Sequence, residues 1–129
     1  MQTPIEKQAE IESQLGQFSG SEEHYRWSGL FKFAVLTDGT KFLSEKYGAY
    51  WLMDVIASHQ HSFKVRREEF QVWNLKKTKG SGCRITCDDG DKNVVASQIV
   101  KFTDFPLDTI KLYATWAGNI LTIMLPSEY

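Results

Sequence analysis

The repeat of apolar residues changes near Arg67, and this change constrains the fold more than any other feature of the chain. Before Arg67, apolar residues recur every three or four positions, as they do on one face of a helix. After it, apolar and polar residues alternate, which is typical of strands with one buried face. The alternating segments are 70–77, 82–88, 93–102, 110–116 and 120–125. Helices followed by strands predict an α+β domain.

The connections between the predicted strands are short and rich in turn residues, with the sequences KGSG, DDGD, DFPLD and AGN. Short connections favour antiparallel neighbours, because a parallel crossover needs about a dozen residues or more. We therefore predict N-terminal helices packed on one face of a roughly five-stranded antiparallel meander sheet. Its buried face is predicted to carry Trp73, Leu75, Cys83, Ile85, Cys87, Ile110, Leu112, Trp116, Leu121, Ile123 and Leu125. Its exposed face is predicted to carry Arg84, Thr86, Lys111, Tyr113, Thr115 and Thr122.

Two helical regions are predicted before the sheet. Thr3 and Pro4 suit the N-cap and the first position of a helix that ends by residue 17, and its thin apolar stripe predicts a peripheral position within 1–17. The second region is 37–61, with Thr37 or Asp38 as N-cap, helix from residue 40 to about 60, and a bend near Gly48. Residues 30–36 fit either a short strand or an apolar turn of helix.

Length and composition favour one domain over residues 1–129, with the sheet in 70–125. Apolar residues make up 42% of the chain, enough for one core, and the net charge of −1 gives no overall attraction to nucleic acid or anionic membranes. The longest apolar run, Ala49–Met53, is far shorter than the roughly 20 residues that span a bilayer. The start of the chain, MQTPIEKQAEIE, does not resemble a signal peptide. These features predict a cytoplasmic protein without membrane association.

The segment GAYWLMDVIASHQH, residues 48–61, separates into two stripes at helical spacing. The stripe predicted to face the core consists of Trp51, Leu52, Val55, Ile56 and His59. The second stripe is more polar and consists of Tyr47, Tyr50, Asp54, Ser58 and His61. Aromatic residues with a few polar groups are typical of binding pockets, and Tyr25 and Trp27 are further candidates to line one. The residues predicted to bind a ligand or partner are Tyr47, Tyr50, Asp54 and His61.

The histidines give little support for a metal centre. His59 and His61 lie two apart at a helix end, so their side chains point about 200° away from each other. The chain contains neither H-x-x-x-H nor H-E-x-x-H, the spacings typical of zinc sites on helices. We therefore predict no catalytic residues, no metal ligands and no cofactor. A small metal-dependent hydrolase that uses Asp54 and the histidines is the second alternative, and it requires these side chains to converge.

Two further motifs favour structural roles. Asp89, Asp91 and Asn93 match the start of a calcium loop, but later positions lack its glycine and its bidentate glutamate, so a hairpin turn is predicted. Cys83 and Cys87 lie about 13 Å apart if both are on one strand, too far for a disulfide.

Residues 64–79 contain six basic and two acidic residues, with aromatic residues among them. Basic residues beside stackable rings are typical of single-strand nucleic-acid binding, which is the first alternative function. Its residues would be Arg66, Arg67, Trp73, Lys76 and Lys77. A solvated strand edge explains the same residues, and the neutral chain without an RNA-binding signature favours that interpretation.

Six blocks of sequence occur in an order that resembles one family. They are TDGTKF, GAYWLMDVIAS, FQVWNL, TCDDGD, VKFTDFPLDTIKLY and LPSEY. The chain from about Phe18 to Tyr129 is similar to a family of small bacterial proteins of unknown function, associated with cyanobacteria and with plasmids and other mobile DNA. The N-terminal helix lies outside this similarity. The resemblance implies a bacterial, cytoplasmic, single-domain protein with no assigned activity, and it identifies no catalytic residues.

The sequence thus favours a non-enzymatic binding or interaction module of mobile-element type. Its partner is predicted to be a protein or a second copy of the chain. The interacting surface would be the aromatic and acidic region around Tyr47, Tyr50 and Asp54, or a free edge of the sheet.

Overall fold

The computed structural model describes residues 2–129, so only the first residue of the predicted ranges 1–129 and 1–17 lies outside it. The described part of the chain contains four α-helices and six strands. The helices are α1 (Pro4–Leu15), α2 (Asp38–Tyr47), α3 (Tyr50–Ser58) and α4 (Phe63–Arg66). The strands are β1 (Ala34–Leu36), β2 (Phe70–Lys77), β3 (Cys83–Asp88), β4 (Val94–Val100), β5 (Thr109–Ala117) and β6 (Ile120–Met124). Short 3-10 helices occupy His59–His61 and Pro126–Glu128.

The structure contains the predicted N-caps Thr3 and Thr37, although α2 begins at Asp38, two residues before the predicted start. The Thr3 hydroxyl accepts the Glu6 amide N–H at 3.1 Å and begins α1, which ends at Leu15, two residues earlier than predicted. Thr37 caps α2, and its side chain and that of Thr40 each bond to the other residue's backbone. Gly48 has a φ of 68°, the left-handed conformation that glycine favours, and it ends α2 before α3 begins at Tyr50.

The sheet has one strand more than predicted and is mixed. Its order is β1-β6-β5-β2-β3-β4. The additional strand, β1, pairs in parallel with β6, with Ala34 opposite Leu121 and Leu36 opposite Ile123. This finding assigns residues 34–36 to a strand and corrects the prediction of five purely antiparallel strands. All three residues of β1 are buried, so no polar alternation marks it in the sequence.

The predicted meander is also wrong, because β5 does not lie beside β4. The chain runs through β2, β3 and β4 as adjacent antiparallel strands and then crosses back to the far side of β2. The crossing spans three strand spacings, about 14 Å, and the eight residues of 101–108 can extend roughly 26 Å. Phe105 and Leu107, each 1% exposed, anchor this crossing segment in the core.

The buried face of the sheet is largely as predicted. Nine of the eleven residues listed for it are buried, and Ile110 and Trp116 are half-buried. The core face of α3 is rotated relative to the prediction, because it centres on Leu52, Met53, Ile56 and Ala57. Trp51 and Val55, expected in the core stripe, are only half-buried, since they lie to one side of that face.

Helix α1 contacts the core and the crossing segment. Ile11 is fully buried and Leu15 is 8% exposed. The Gln8 side chain accepts the backbone N–H of Asp108 at 2.7 Å, which joins the helix to the residue before β5. None of the helices within residues 2–129 is both long enough and apolar enough to cross a membrane.

Candidate functional site

A cleft with three aromatic walls opens where α2 and α3 meet residues 25–28. We call it the aromatic cleft; its volume is about 450 Å³, within the range typical of small-molecule sites. It is lined by Tyr25, Arg26, Trp27, Ser28, Leu36, Lys41, Glu45, Tyr50 and Asp54. Tyr25 is held at the edge of β1 because its backbone exchanges two hydrogen bonds with Leu36, at 2.9 and 2.8 Å. The fold therefore brings together residues from four separate segments.

Each aromatic wall donates a hydrogen bond to a carboxylate. The Trp27 indole N–H donates to Asp54 Oδ1 at 2.8 Å. The Tyr25 hydroxyl donates to Asp38 Oδ1 at 2.9 Å, and the Tyr50 hydroxyl donates to Glu45 Oε1 at 3.3 Å. These bonds fix the ring orientations, so the walls are positioned before any ligand binds.

The bond between Tyr25 and Asp38 affects the ionisation of both residues. Donation to Asp38 raises the pKa of Tyr25 above its ordinary value. The same bond, followed by the backbone N–H of Glu22, lowers the pKa of Asp38. At neutral pH the pair is therefore a neutral phenol and a carboxylate, which keeps negative charge beside the cleft.

A lysine ammonium already occupies part of the aromatic cleft. Lys41 Nζ lies 4.0 Å from the centroid of the Tyr25 ring and 3.7 Å from Glu45 Oε1. Both separations fall within the range of favourable cation–π and ion-pair contacts. The cleft thus provides a ring face and carboxylates arranged around a positive charge.

The predicted site residues do not all meet. Tyr50 and Asp54 line the aromatic cleft together with Tyr25 and Trp27. Tyr47 instead contacts α1, since its hydroxyl donates to the Gln14 side chain and burial raises its pKa. The fourth predicted residue, His61, lies in a different cleft.

Asp54 is exposed, although it lies in an apolar run of the sequence. It faces solvent because α3 turns its apolar face toward the sheet, and its partner is an indole 27 positions earlier in the chain. Sequence reasoning missed Lys41 and Glu45, although their i,i+4 spacing is a signal for an ion pair on a helix.

The second cleft, which we call the Arg66 cleft, lies between residues 60–66 and the turn between β5 and β6. Its volume is about 340 Å³, and its lining residues are Phe33, Gln60, His61, Arg66, Trp116 and Asn119. Phe33 stacks on Trp116 with ring centroids 5.5 Å apart. The Arg66 guanidinium lies 5.4 Å from the Trp116 ring.

A buried pair of glutamines lies beneath the Arg66 cleft, and the sequence reasoning did not single it out. Gln60 and Gln71 exchange two side-chain hydrogen bonds, at 2.8 and 2.9 Å. The indoles of Trp73 and Trp116 donate to Gln71 and Gln60, at 3.0 and 3.2 Å. One feature of the sequence could have identified the pair. Gln71, Trp73 and Leu75 are alternate residues of β2, so the polar Gln71 is expected on the same buried face as the two apolar residues.

The residues of the predicted nucleic-acid surface are not gathered on one face. Arg66, the last residue of α4, and Arg67, which follows it, are exposed. Trp73 is 2% exposed and lies in the core, where it cannot stack on a base. Lys76 and Lys77 are consecutive on β2 and therefore project from opposite faces of the sheet.

The residues of the hydrolase alternative are also separated. His59 Nε2 lies 2.7 Å from Gln98 Oε1, and its ring packs 5.5 Å from Trp73. His61 lines the Arg66 cleft, whereas Asp54 lines the aromatic cleft. Within residues 2–129, no three His, Cys, Asp or Glu side chains are grouped closely enough to hold a metal ion.

The two remaining motifs, the aspartate-rich turn and the pair of cysteines, have environments that fit structural roles. Asp89 accepts the backbone N–H groups of Asp91 and Asn93 at 2.8 and 3.3 Å in the turn between β3 and β4, and its bond with the Asn93 side chain lowers its pKa. Cys83 and Cys87 are free and buried, and burial raises the pKa of Cys87 to about 12. So weakly acidic a thiol is a poor nucleophile at neutral pH.

One edge of the sheet is open in the described part of the chain. Strand β4 pairs only with β3, and its residues 94–100 include no charged side chain. Val94 and Ile99 are 58% and 64% exposed. Lys92 and Lys101 flank the strand, a placement that discourages edge-to-edge pairing.

Comparison with known proteins gives a fold and a family model but no activity. A crystal structure of a protein of unknown function from Enterococcus faecalis is similar, with a TM-score of 0.56, 15% identity and coverage of 74% of this chain and 89% of that chain. At this identity the similarity concerns the fold alone. No curated protein matches the chain significantly. A model described as a family of unknown function (DUF6876) matches residues 9–129, so the match includes most of α1, which the resemblance had placed outside.

Proposed function

Because the chain belongs to the family of unknown function DUF6876, we propose a function from geometry alone: a non-enzymatic binding module that captures a cationic group of a protein partner in the aromatic cleft. The observation that supports this proposal most is the position of Lys41. Its ammonium lies over the Tyr25 ring inside the cleft, so at least one wall already accepts a cation.

The remaining walls suit a second cation. Trp27 and Tyr50 are further aromatic residues that line the cleft, and the indole of Trp27 is fixed by Asp54. Recognition of lysine, arginine or quaternary ammonium groups by several aromatic rings is a known use of cation–π attraction. The carboxylate of Asp54 is exposed at the cleft and supplies the opposite charge.

The charges around the cleft also favour a cationic ligand. Four carboxylates lie in or beside it, from Glu23, Asp38, Glu45 and Asp54. The basic residues that line the cleft are Lys41 and Arg26. The Arg26 Nε donates to the backbone carbonyl of Lys32 at 3.0 Å, so this N–H group is not available to a ligand. An anionic ligand would meet more repulsion than attraction here.

Choline provides a minimal test, because 3,3-dimethylbutan-1-ol has the same shape without the charge. Binding is measured by NMR from the indole N–H signal of Trp27, assigned with a Trp27→Phe variant. We expect saturable shifts with choline at a Kd near 1 mM, which corresponds to about 4 kcal/mol, and much smaller shifts with the alcohol. Equal shifts with both compounds would contradict the proposal.

Asp54→Asn removes the charge but keeps an oxygen that can accept from Trp27. We expect choline affinity to fall about threefold to tenfold, the effect of losing one charge at an exposed site. The matched control is Asp104→Asn, an exposed aspartate outside the cleft that changes net charge equally. The same loss in both variants would show that only overall charge matters.

Lys41→Met tests whether the built-in ammonium competes with the ligand. The variant keeps an apolar stem against Tyr25 and removes the positive charge. We expect choline to bind more tightly than to the wild-type protein. Weaker binding would mean that the Lys41 ammonium attracts the ligand. That result would contradict the proposal that the cleft binds a cation.

The resemblance of the sequence adds a biological setting to this proposal. It implies a cytoplasmic bacterial protein associated with mobile DNA. In that setting we propose that the cleft binds a lysine or arginine side chain of a protein partner. Capture of a cationic side chain requires no turnover, so the proposal needs no catalytic residue.

A further inference from the structure

We propose that the Arg66 cleft is a second, independent binding site for a small organic anion that carries a planar ring. The cleft lies apart from the aromatic cleft, and the two share no lining residue. Its volume of about 340 Å³ is at the lower end of the range for small-molecule sites, so a compact ligand suits it.

Arg66 provides the positive charge. The salt bridges within residues 2–129 are Lys41–Glu45 and Arg67–Glu68, so Arg66 has no carboxylate partner there. It is held over the Trp116 ring, which orients the planar guanidinium and leaves its N–H groups available. A guanidinium of this kind can bind a carboxylate or a phosphate through two parallel hydrogen bonds.

The other lining groups complement an anion and a ring. His61 and Asn119 offer side-chain nitrogens, and neither makes a side-chain hydrogen bond within the described residues. The stacked rings of Phe33 and Trp116 provide an apolar wall. No carboxylate lines the cleft, so the charge of a bound anion would meet no opposing group there.

The glutamine pair makes this wall rigid. The Trp116 indole donates to Gln60, which is 4% exposed and is itself held by Gln71. Trp116 therefore keeps its orientation without a ligand, and binding does not have to order it. The donors and the acceptor of the Gln60 side chain are all occupied by hydrogen bonds within the protein. The ligand would therefore form its hydrogen bonds with Arg66, His61 and Asn119.

The test uses phenyl phosphate as the probe for a charged group with a ring. Benzyl alcohol has the ring alone, and inorganic phosphate has the charge alone. The readout is the indole N–H signal of Trp116 in the full chain, assigned with a Trp116→Phe variant. We expect saturable shifts with phenyl phosphate at millimolar concentration and at least fivefold weaker binding of the other two. Absence of a response to phenyl phosphate would overturn the proposal.

Arg66→Gln is expected to weaken phenyl phosphate binding about tenfold or more, the usual loss for a charge-assisted hydrogen bond. Arg67→Gln is the matched control, because it removes the same charge from the neighbouring residue, which does not line the cleft. Arg66→Lys should recover only part of the affinity, since an ammonium lacks the planar fork. Equal weakening by Arg66→Gln and Arg67→Gln would overturn the assignment.

A further titration distinguishes the binding of a small molecule from the binding of a nucleic-acid strand. Short oligothymidylate without a terminal phosphate is titrated beside phenyl phosphate, with the same Trp116 signal. We expect the oligomer to bind no more tightly than phenyl phosphate. Tighter binding of the oligomer that also requires Arg66 would replace the small-molecule assignment with single-strand binding.

Discussion

Gln60 and Gln71 show how two buried polar side chains can satisfy each other. Both amides lie in the core region, at 4% and 0% exposure, and each accepts from a tryptophan indole. The second hydrogen of the Gln71 amide is shared between the backbone carbonyls of Val65 and Glu68, each 3.1 Å from the amide nitrogen. A fully satisfied network of this kind specifies one arrangement of side chains, because any partner that is lost leaves a buried group unpaired.

Replacing Gln71 with leucine should therefore destabilise the protein strongly. Gln71→Leu leaves the Trp73 indole without its acceptor and removes two of the hydrogen bonds of the buried Gln60 side chain. We expect the free energy of unfolding to fall by about 2 to 4 kcal/mol, measured by urea denaturation.

Gln17→Leu is the control for this substitution, because Gln17 is exposed and makes no side-chain hydrogen bond in the described structure. It should change the free energy of unfolding by less than about 0.5 kcal/mol. A loss at Gln71 no larger than that at Gln17 would show that the network does not stabilise the fold.

At the residue scale, periodicity identified part of the candidate site. Spacing on α3 correctly put Tyr50 and Asp54 on a face different from that of the core. Spacing could not show that Trp27 bonds to Asp54, or that Tyr47 turns toward α1, because these contacts join segments far apart in the chain.

At the element scale, helix α2 depends on a residue far along the chain. The Glu128 carboxylate accepts the Thr37 hydroxyl at 2.6 Å and the backbone N–H of Gly39 at 2.9 Å. A negative charge at a helix N-terminus is stabilising, because the first N–H groups lack intrahelical partners. Gly39 leaves the space for this contact, since a Cβ there would lie 2.5 Å from Glu128 and from Leu125.

Glu128→Ala should destabilise the fold by about 1 to 2 kcal/mol, the typical effect of removing a helix cap. The reason is the loss of both the charge and the bonds to Thr37 and Gly39. Thermal unfolding followed by circular dichroism provides the measurement.

Ser127→Ala is the neighbouring control, at an exposed position, and should leave the unfolding temperature nearly unchanged. Gly39→Ala gives a second check, because it should be better tolerated in the Glu128→Ala background than in the wild-type protein. Independent effects of the two substitutions would argue against the contact.

The strands were easier to predict than their arrangement. The five alternating segments agree with β2 to β6 within two residues at each boundary, because a strand with one buried face imposes the alternation locally. The position of β5 beside β2 and the parallel pairing of β1 with β6 depend on packing between distant segments, for which a single sequence has no local signal.

At the scale of the whole molecule, helix, crossing segment and sheet enclose one cluster of buried residues. Ile11 of α1, Phe105 of the crossing segment and Leu112 of β5 all belong to it. This shared core supports the proposal that the chain is one domain, in which no part unfolds separately.

Ile11→Ala tests that proposal. Removing a fully buried isoleucine should cost about 2 to 5 kcal/mol, and the loss should appear equally in helical circular dichroism and in tryptophan fluorescence. Both signals are followed through the same urea titration.

The control is Ile5→Ala on the same helix, at a position that is 81% exposed, where the change should stay within about 0.5 kcal/mol. If helical signal is lost at lower urea concentration than the fluorescence change, α1 unfolds on its own and the chain is not one cooperative unit.

The pairing of β1 with β6 also determines when this protein can fold during translation. The ribosome produces β1 and the helices long before residues 121–123, which β1 needs as its neighbour, and before Glu128, which caps α2. Contacts between such distant segments form slowly and leave apolar surface exposed meanwhile. We therefore expect the nascent chain to complete its native sheet only after residues 120–128 have emerged.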